Sequence, residues 1–178
     1  MAAVTRRLLC ATALTGLLTL AAPADAAEPL EYAVKAAYLV KFPFYVDWPP
    51  SAFSAAAAPL NLCVIGDDPF GSLLDDAAAG QQVQGHPLAV RRMKTASRDA
   101  GCHIAFLGND VRADALRGSG ALVVTDALAT GSGVINFVVK DNRVRFTVDD
   151  ELAAQNGLAI SSKLLNVALS VKPRGATR

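Results

Sequence analysis

Paired aspartates, a further aspartate, a hydroxyl and a lysine are the side chains here whose order suggests chemistry. Asp67 and Asp68 stand together, then come Asp110, Thr125 and Lys140. Acids, a hydroxyl and an ammonium in that order are the parts of a phosphoryl-accepting site. A phosphatase using Asp67 or Asp68 is the enzymatic version of the same idea. Other chemistries find less support. There is no G-x-S-x-G nucleophile elbow. The "GSG" at 131–133 precedes a strand and has no helix to hold a phosphate. "GDDPFG" could present a helix N-terminus to an anion, but its two aspartates oppose one. His86 and His103 are the only histidines, and each reads as structural.

The elements that must position these residues follow from periodicity. Leu30 to Phe42 reads as a helix of 13 residues that ends or kinks at Pro43, whose nitrogen carries no hydrogen. It is apolar almost all round, with Glu31 and Lys35 four apart as a small polar face and Lys41 elsewhere. Such a helix is expected in a core, and it is too short for a bilayer. Trp48-Pro49-Pro50 then turns the chain, and "FSAAAAPL" is a low-complexity connector.

"LNLCVIG" at 60–66 is a continuous apolar run ending in glycine, the pattern of a strand buried on both faces. Asp67 or Asp68 is expected to cap the next helix, with Pro69 in its first turn and Gly80 at its end. "PLAVRRM", "CHIAFLG" and "GALVVTD" read as three more strands, and "NDVRADALRG" as a capped helix. "GVINFVVKDNRVRFTVD" reads as two strands around an Asp141-Asn142 turn. In its second strand Val144, Phe146 and Val148 alternate with Arg143, Arg145 and Thr147, which predicts one buried and one wet, basic face near a sheet edge. "DDELAAQNG" is a short helix, "LAI" is extended, and "SSKLLNVALSV" is a helix capped by Ser161 or Ser162. The alternation predicts a single-domain α/β/α sandwich with a mostly parallel sheet and a C-terminal antiparallel hairpin.

In such a sheet, ligands bind at the carboxyl ends of the strands. The acids and Thr125 fall there, in the order used by two-component receiver domains. Lys140, however, opens a hairpin, which a receiver's last strand does not, and an exported protein lacks a ready phosphodonor. The same residues cap helices and fill turns, where Asp and Asn are favoured. That is the reading adopted, and no catalytic residue, cofactor or metal is expected.

Export is inferred from residues 1–26. Arg6-Arg7 precede an apolar run from Leu8 to Ala22, and Ala24-x-Ala26 offers a cleavage site. The arginine pair leaves the choice between the general and twin-arginine routes open. The mature domain is then 27–178, expected to be soluble and periplasmic. Cys10 departs with the leader, and Cys63 and Cys102 remain. An even pair in an oxidising compartment reads as a disulfide. Two separate buried thiols are the other reading, and the spacing matches no zinc site. The chain has 178 residues, 52% of them hydrophobic and 19% charged, and its net charge is +1. That balance and the lack of a basic run beyond "RRMKTASR" argue against a nucleic-acid partner.

Three separated segments carry a resemblance. "EYAVKAAYLVKFPFYVDWP", "LNLCVIGDDPFGSLLDD" and "RVRFTVDDELAAQNGLAISSKLLNVA" resemble, in order and across the mature chain, the YfiR family of periplasmic proteins. Within them lie a Lys-Ala-x-Tyr-Leu helix leading to Trp-Pro, a strand running into Gly-Asp-Asp-Pro-Phe-Gly, and a Ser-Ser-x-Leu-Leu ending. Two features depart from the pattern: Pro43 interrupts the first helix, and one cysteine pair stands where some relatives have two. The resemblance implies a compact, dimer-forming α/β domain. It also implies a negative regulator that engages the periplasmic sensing domain of an inner-membrane diguanylate cyclase, or another membrane sensor. An outer-membrane lipoprotein would relieve the repression. Arg143, Arg145, Asp149 and Lys163 are the candidate partner surface. A small-molecule-binding module using the strand-end crevice is the alternative function.

Overall fold

A computed structural model describes residues 27–126 and 131–175. The expected leader, residues 1–26, lies outside the described residues. Helix α1 (Ala27–Lys41) runs into a 3-10 turn (Phe42–Tyr45) at Pro43. A two-residue strand, β1 (Val46–Asp47), follows, and Trp48 is buried with its indole N–H donating to the Pro43 carbonyl at 3.2 Å. Then come β2 (Leu60–Ile65), α2 (Ser72–Ala78), β3 (Gln82–Val83), β4 (His86–Met93), β5 (Ile104–Leu107) and β6 (Leu122–Thr125). The hairpin is β7 (Ile135–Lys140) and β8 (Arg143–Asp149). The chain closes with α3 (Asp150–Gln155), β9 (Ala159–Ile160), α4 (Ser162–Val167) and β10 (Ser170–Lys172).

Eight strands form one sheet in the order β10-β8-β7-β6-β5-β2-β4-β3. Strands β4, β2, β5, β6 and β7 are mutually parallel, which is a doubly wound order of the 2-1-3-4-5 kind. The β7–β8 pairing is antiparallel, and both turn residues, Asp141 and Asn142, have φ near +50°, as a two-residue hairpin requires. The fold is thus the single mixed α/β domain the alternation predicts. The central strands are buried on both faces because successive residues serve different cores. Leu60, Leu62 and Val64 face the larger core under α1 and α2, and Cys63 and Ile65 face the smaller one.

Cys63 and Cys102 are joined by a disulfide, with their Cα atoms 5.8 Å apart. It ties the middle of β2 to the entry of β5. The two cysteines are 39 positions apart, and closing a loop of that length stabilises by about 4 kcal/mol on the chain-entropy account.

Three expectations change. The helix expected in "NDVRADALRG" is only a 3-10 turn, Ala113–Leu116. Its apolar positions Val111, Ala113 and Leu116 lie over the small core without needing a full helix. The helix after β2 begins later than expected, at Ser72, because Asp68 accepts from the N–H groups of Phe70 and Gly71 and so builds a turn. The last helix stops at Val167 and the chain becomes β10, which lies outside β8 and forms the sheet edge. Apolar spacing over such short segments does not separate helix from strand.

Candidate binding groove

The carboxyl ends of β2 and β5 form the switch point of the sheet, where this topology usually binds ligands. Here it is filled. Gly66 has φ of +84°, and a Cβ there would overlap the Asp110 carboxylate. A Cβ on Gly108 would meet the Asp67 backbone nitrogen at 2.7 Å. The two loops therefore pack backbone to backbone and leave a cavity of about 40 Å³ between Tyr32, Asp67, Phe106 and Asp126. That is room for about one water.

Asp68, Asp75 and Asp110 beside this crevice are each engaged. Asp68 caps its turn and receives the Arg92 guanidinium at 2.7 Å, and Arg92 also binds Asp75 at 2.7 Å and the Gly71 carbonyl. The hydrogen bond from Arg92 holds the Asp75 carboxyl below its ordinary range. Asp110 accepts weakly from the Asp67 N–H at 3.4 Å. Thr125 is buried and donates to Asn136 across the sheet at 2.6 Å. Lys140 is four residues further along β7 than Asn136, about 13 Å away. The residues with receiver-like order are thus not gathered into one site.

The centre of this region is a lysine that the sequence places on a polar face. Lys35 is 1% exposed, its ammonium held by Asp126 at 2.7 and 2.9 Å and by Glu31 one turn earlier. Burial works against its charge, but the hydrogen bonds it donates to Asp126 and Glu31 outweigh burial and raise its pKa above the ordinary value. Tyr32 stands beside the cluster, its hydroxyl pushed up by burial and by the Asp126 charge. Four groups from α1 and the end of β6 thereby satisfy one another, and the helix is pinned to the sheet.

Both histidines contact backbone groups, His86 through Nδ1 at the Ala58 carbonyl. His103 is buried, accepts from the Asn61 N–H at Nδ1, and contacts the Ala52 carbonyl at 3.0 Å through Nε2. Phe53 stacks on His86 at 3.6 Å between ring centroids and on His103 at 4.7 Å. Burial lowers the His103 pKa.

The open surface lies on the other side of α1. Its buried stripe is Lys35, Ala36, Leu39 and Val40, whereas Leu30, Val34, Ala37 and Lys41 face outward. A helix apolar all round was expected to be enclosed, yet its outer stripe is uncovered. Opposite it stands α4, placed by the β1–β9 ribbon and by the Ser161 N–H donating to the Tyr45 carbonyl. Between the two lies a groove of about 770 Å³. Its floor is fixed by aromatic packing: Phe42 meets Phe146 edge-on at 5.1 Å, and Tyr38 meets Phe146 at 5.5 Å. Val34 and Ala37 form one wall, and Leu164 and Val167 the other.

Lys41 and Lys163 also line this groove, and no acidic residue does. Among the described residues neither lysine has an ion-pair partner. Lys41 is exposed, reaching Gln81 at 3.4 Å and lying 5.3 Å from the Phe44 ring centre. A second, shallower recess continues past Val34, bordered by Leu30, Val139 and Arg143.

The four expected partner residues are therefore dispersed. Lys163 is on the groove and Arg143 on the adjoining recess, while Arg145 is half-buried beside the Val138 register position. Asp149 caps α3 by accepting from the Leu152 N–H at 2.8 Å, and pairs with Lys172 at 3.3 Å. It stands six residues along β8 from Arg143, about 20 Å. Sequence reasoning missed the groove and Lys41's place in it. The signal was the apolar outer stripe of α1, which a single enclosed core does not need.

The profile shared by YfiR/HmsC-like proteins matches residues 32–169. No curated protein matches the chain significantly. Among the described residues no helix is long and apolar enough to cross a membrane. The match begins on the inner face of α1 and ends just before β10, so it takes in the disulfide, Lys35 with Tyr32 and Asp126, and both walls of the groove. The chain belongs to the YfiR/HmsC-like family.

Proposed function

We propose that this protein is a periplasmic negative regulator that binds the sensing domain of an inner-membrane diguanylate cyclase and lowers cyclic-di-GMP output. Its role is to bind, not to catalyse. The family match over residues 32–169 carries this reading. The groove supports it, because a regulator needs a preformed surface whose occupation differs between two states. Such a protein shifts its target only by its differential affinity for those states, about 1.4 kcal/mol for each tenfold change. A lipoprotein of the outer membrane would relieve repression by competing for the regulator, and a homodimer is the expected assembly.

Deletion of the gene should raise cyclic-di-GMP, and the purified chain should bind the periplasmic domain of a membrane cyclase. Unchanged cyclic-di-GMP together with no binding to such a domain would remove the proposal. Light scattering on the purified chain tests the dimer.

A further inference from the structure

The groove between α1 and α4 has three properties that together specify a ligand. Its walls are aliphatic and exposed: Val34 is 37% and Val167 59% accessible. Exposed apolar side chains scattered singly are ordinary, but here they line one concavity with a rigid aromatic floor. Its length is that of an acyl chain. From Val34 to Lys41 the wall runs seven residues, about 10 Å at helical rise, and the 3-10 turn to Tyr45 extends it by up to about 8 Å. Half the hydrocarbon thickness of a bilayer, the reach of one acyl chain, is about 15 Å. Its charge is positive only: one ammonium stands on each wall, Lys41 and Lys163, without an ion pair and with no acid in the lining.

We propose that this groove is a binding site for a single-chain anionic amphiphile of the fatty-acid class. The chain lies along α1 against Val34, Ala37 and the Tyr38–Phe146 floor. The carboxylate is held by Lys41 and Lys163, which gain the counter-charge the protein does not supply. Apolar burial provides the affinity and the two ammoniums select the head group, since hydrogen bonds to charged groups are the stronger kind. This site is distinct from the strand-end crevice and does not rest on the regulatory reading.

The test is titration of the full mature chain with sodium dodecanoate below its micelle concentration, followed by calorimetry and native mass spectrometry. Dodecyltrimethylammonium, with the same tail and opposite charge, is the control. Dodecanoate should bind one per chain and at least tenfold more tightly than the cation. The Lys41→Glu, Lys163→Glu double variant should lose tenfold or more in dodecanoate affinity and lose the preference. Ala37→Trp, which fills the exposed wall and leaves both charges, should block binding independently if the double variant does not fold. Absence of binding, equal affinity for both tails, or unchanged affinity in the folded variants would each overturn the proposal. So would a dimer, seen by light scattering, that buries the groove and excludes dodecanoate, since the occupant would then be a second copy. Repression of cyclase is read separately through cyclic-di-GMP, so either idea can fail alone.

Discussion

The strand-end crevice and the α1–α4 groove sit on opposite sides of one helix and are built on opposite principles. Around the crevice nearly every charge is matched inside the chain: Lys35 with Glu31 and Asp126, Arg92 with Asp68 and Asp75. In the groove Val34 and Val167 are exposed, and neither lysine has an ion-pair partner among the described residues. A region rich in chemical groups has its bonding capacity used up by folding, while a region poor in them retains it. Titratable residues near strand ends draw attention on topological grounds, but it is unspent capacity that marks a place where something else can bind.

If that contrast is right, disturbing the crevice should cost stability and disturbing the groove should not. The largest effect is expected for Lys35→Ala. It leaves two carboxylates facing a buried site without their cation, which costs about 3–5 kcal/mol by analogy with other broken buried pairs. Chemical denaturation measures it, and a loss below about 1 kcal/mol would mean the cluster is solvated and the contrast overstated. Gly108→Ala comes next. Its Cβ would press on the Asp67 backbone at 2.7 Å, and forcing the loops apart should cost about 1–3 kcal/mol.

A smaller effect is expected from pH at the other end of the sheet. His103 is held neutral by burial, so its folded pKa lies below the unfolded value of 6.5. The unfolded chain then binds more protons as pH falls below about 6.5, and stability declines until the depressed folded pKa is reached. Melting temperature should therefore fall between pH 7.5 and 5, and His103→Asn should flatten that slope while lowering stability throughout. The smallest stability effect is expected in the groove. Val167→Asp should change unfolding free energy by no more than about 0.5 kcal/mol, as exposed positions do, yet its charge should repel dodecanoate. A large stability loss there would show that the groove is structurally spent, like the crevice.

Much of the fold was legible in the sequence because strands buried on both faces must be continuously apolar. Leu62 to Ile65 and Leu122 to Val124 satisfy that, and the Asp141-Asn142 pair fixes the hairpin. The site was less legible. Lys35 and Lys41 look alike along the chain, and the spacing of Glu31 and Lys35 suggested a wet face. Only the arrival of Asp126, 91 residues later, turns that face inward. Likewise Arg143 and Asp149 look like neighbours in "RVRFTVD", but the extended strand sets them at opposite ends of the sheet.

The sequence by itself determined the α/β alternation, the hairpin, the pairing of Cys63 with Cys102 and the family, since each depends on local pattern, on cysteine count or on motif order. Tertiary structure decided which face of α1 is inside, whether the switch-point crevice is open, and where uncompensated charge and apolar surface coincide. Those depend on contacts between residues distant in the chain. Whether a group is satisfied can be known only when every possible partner has been placed.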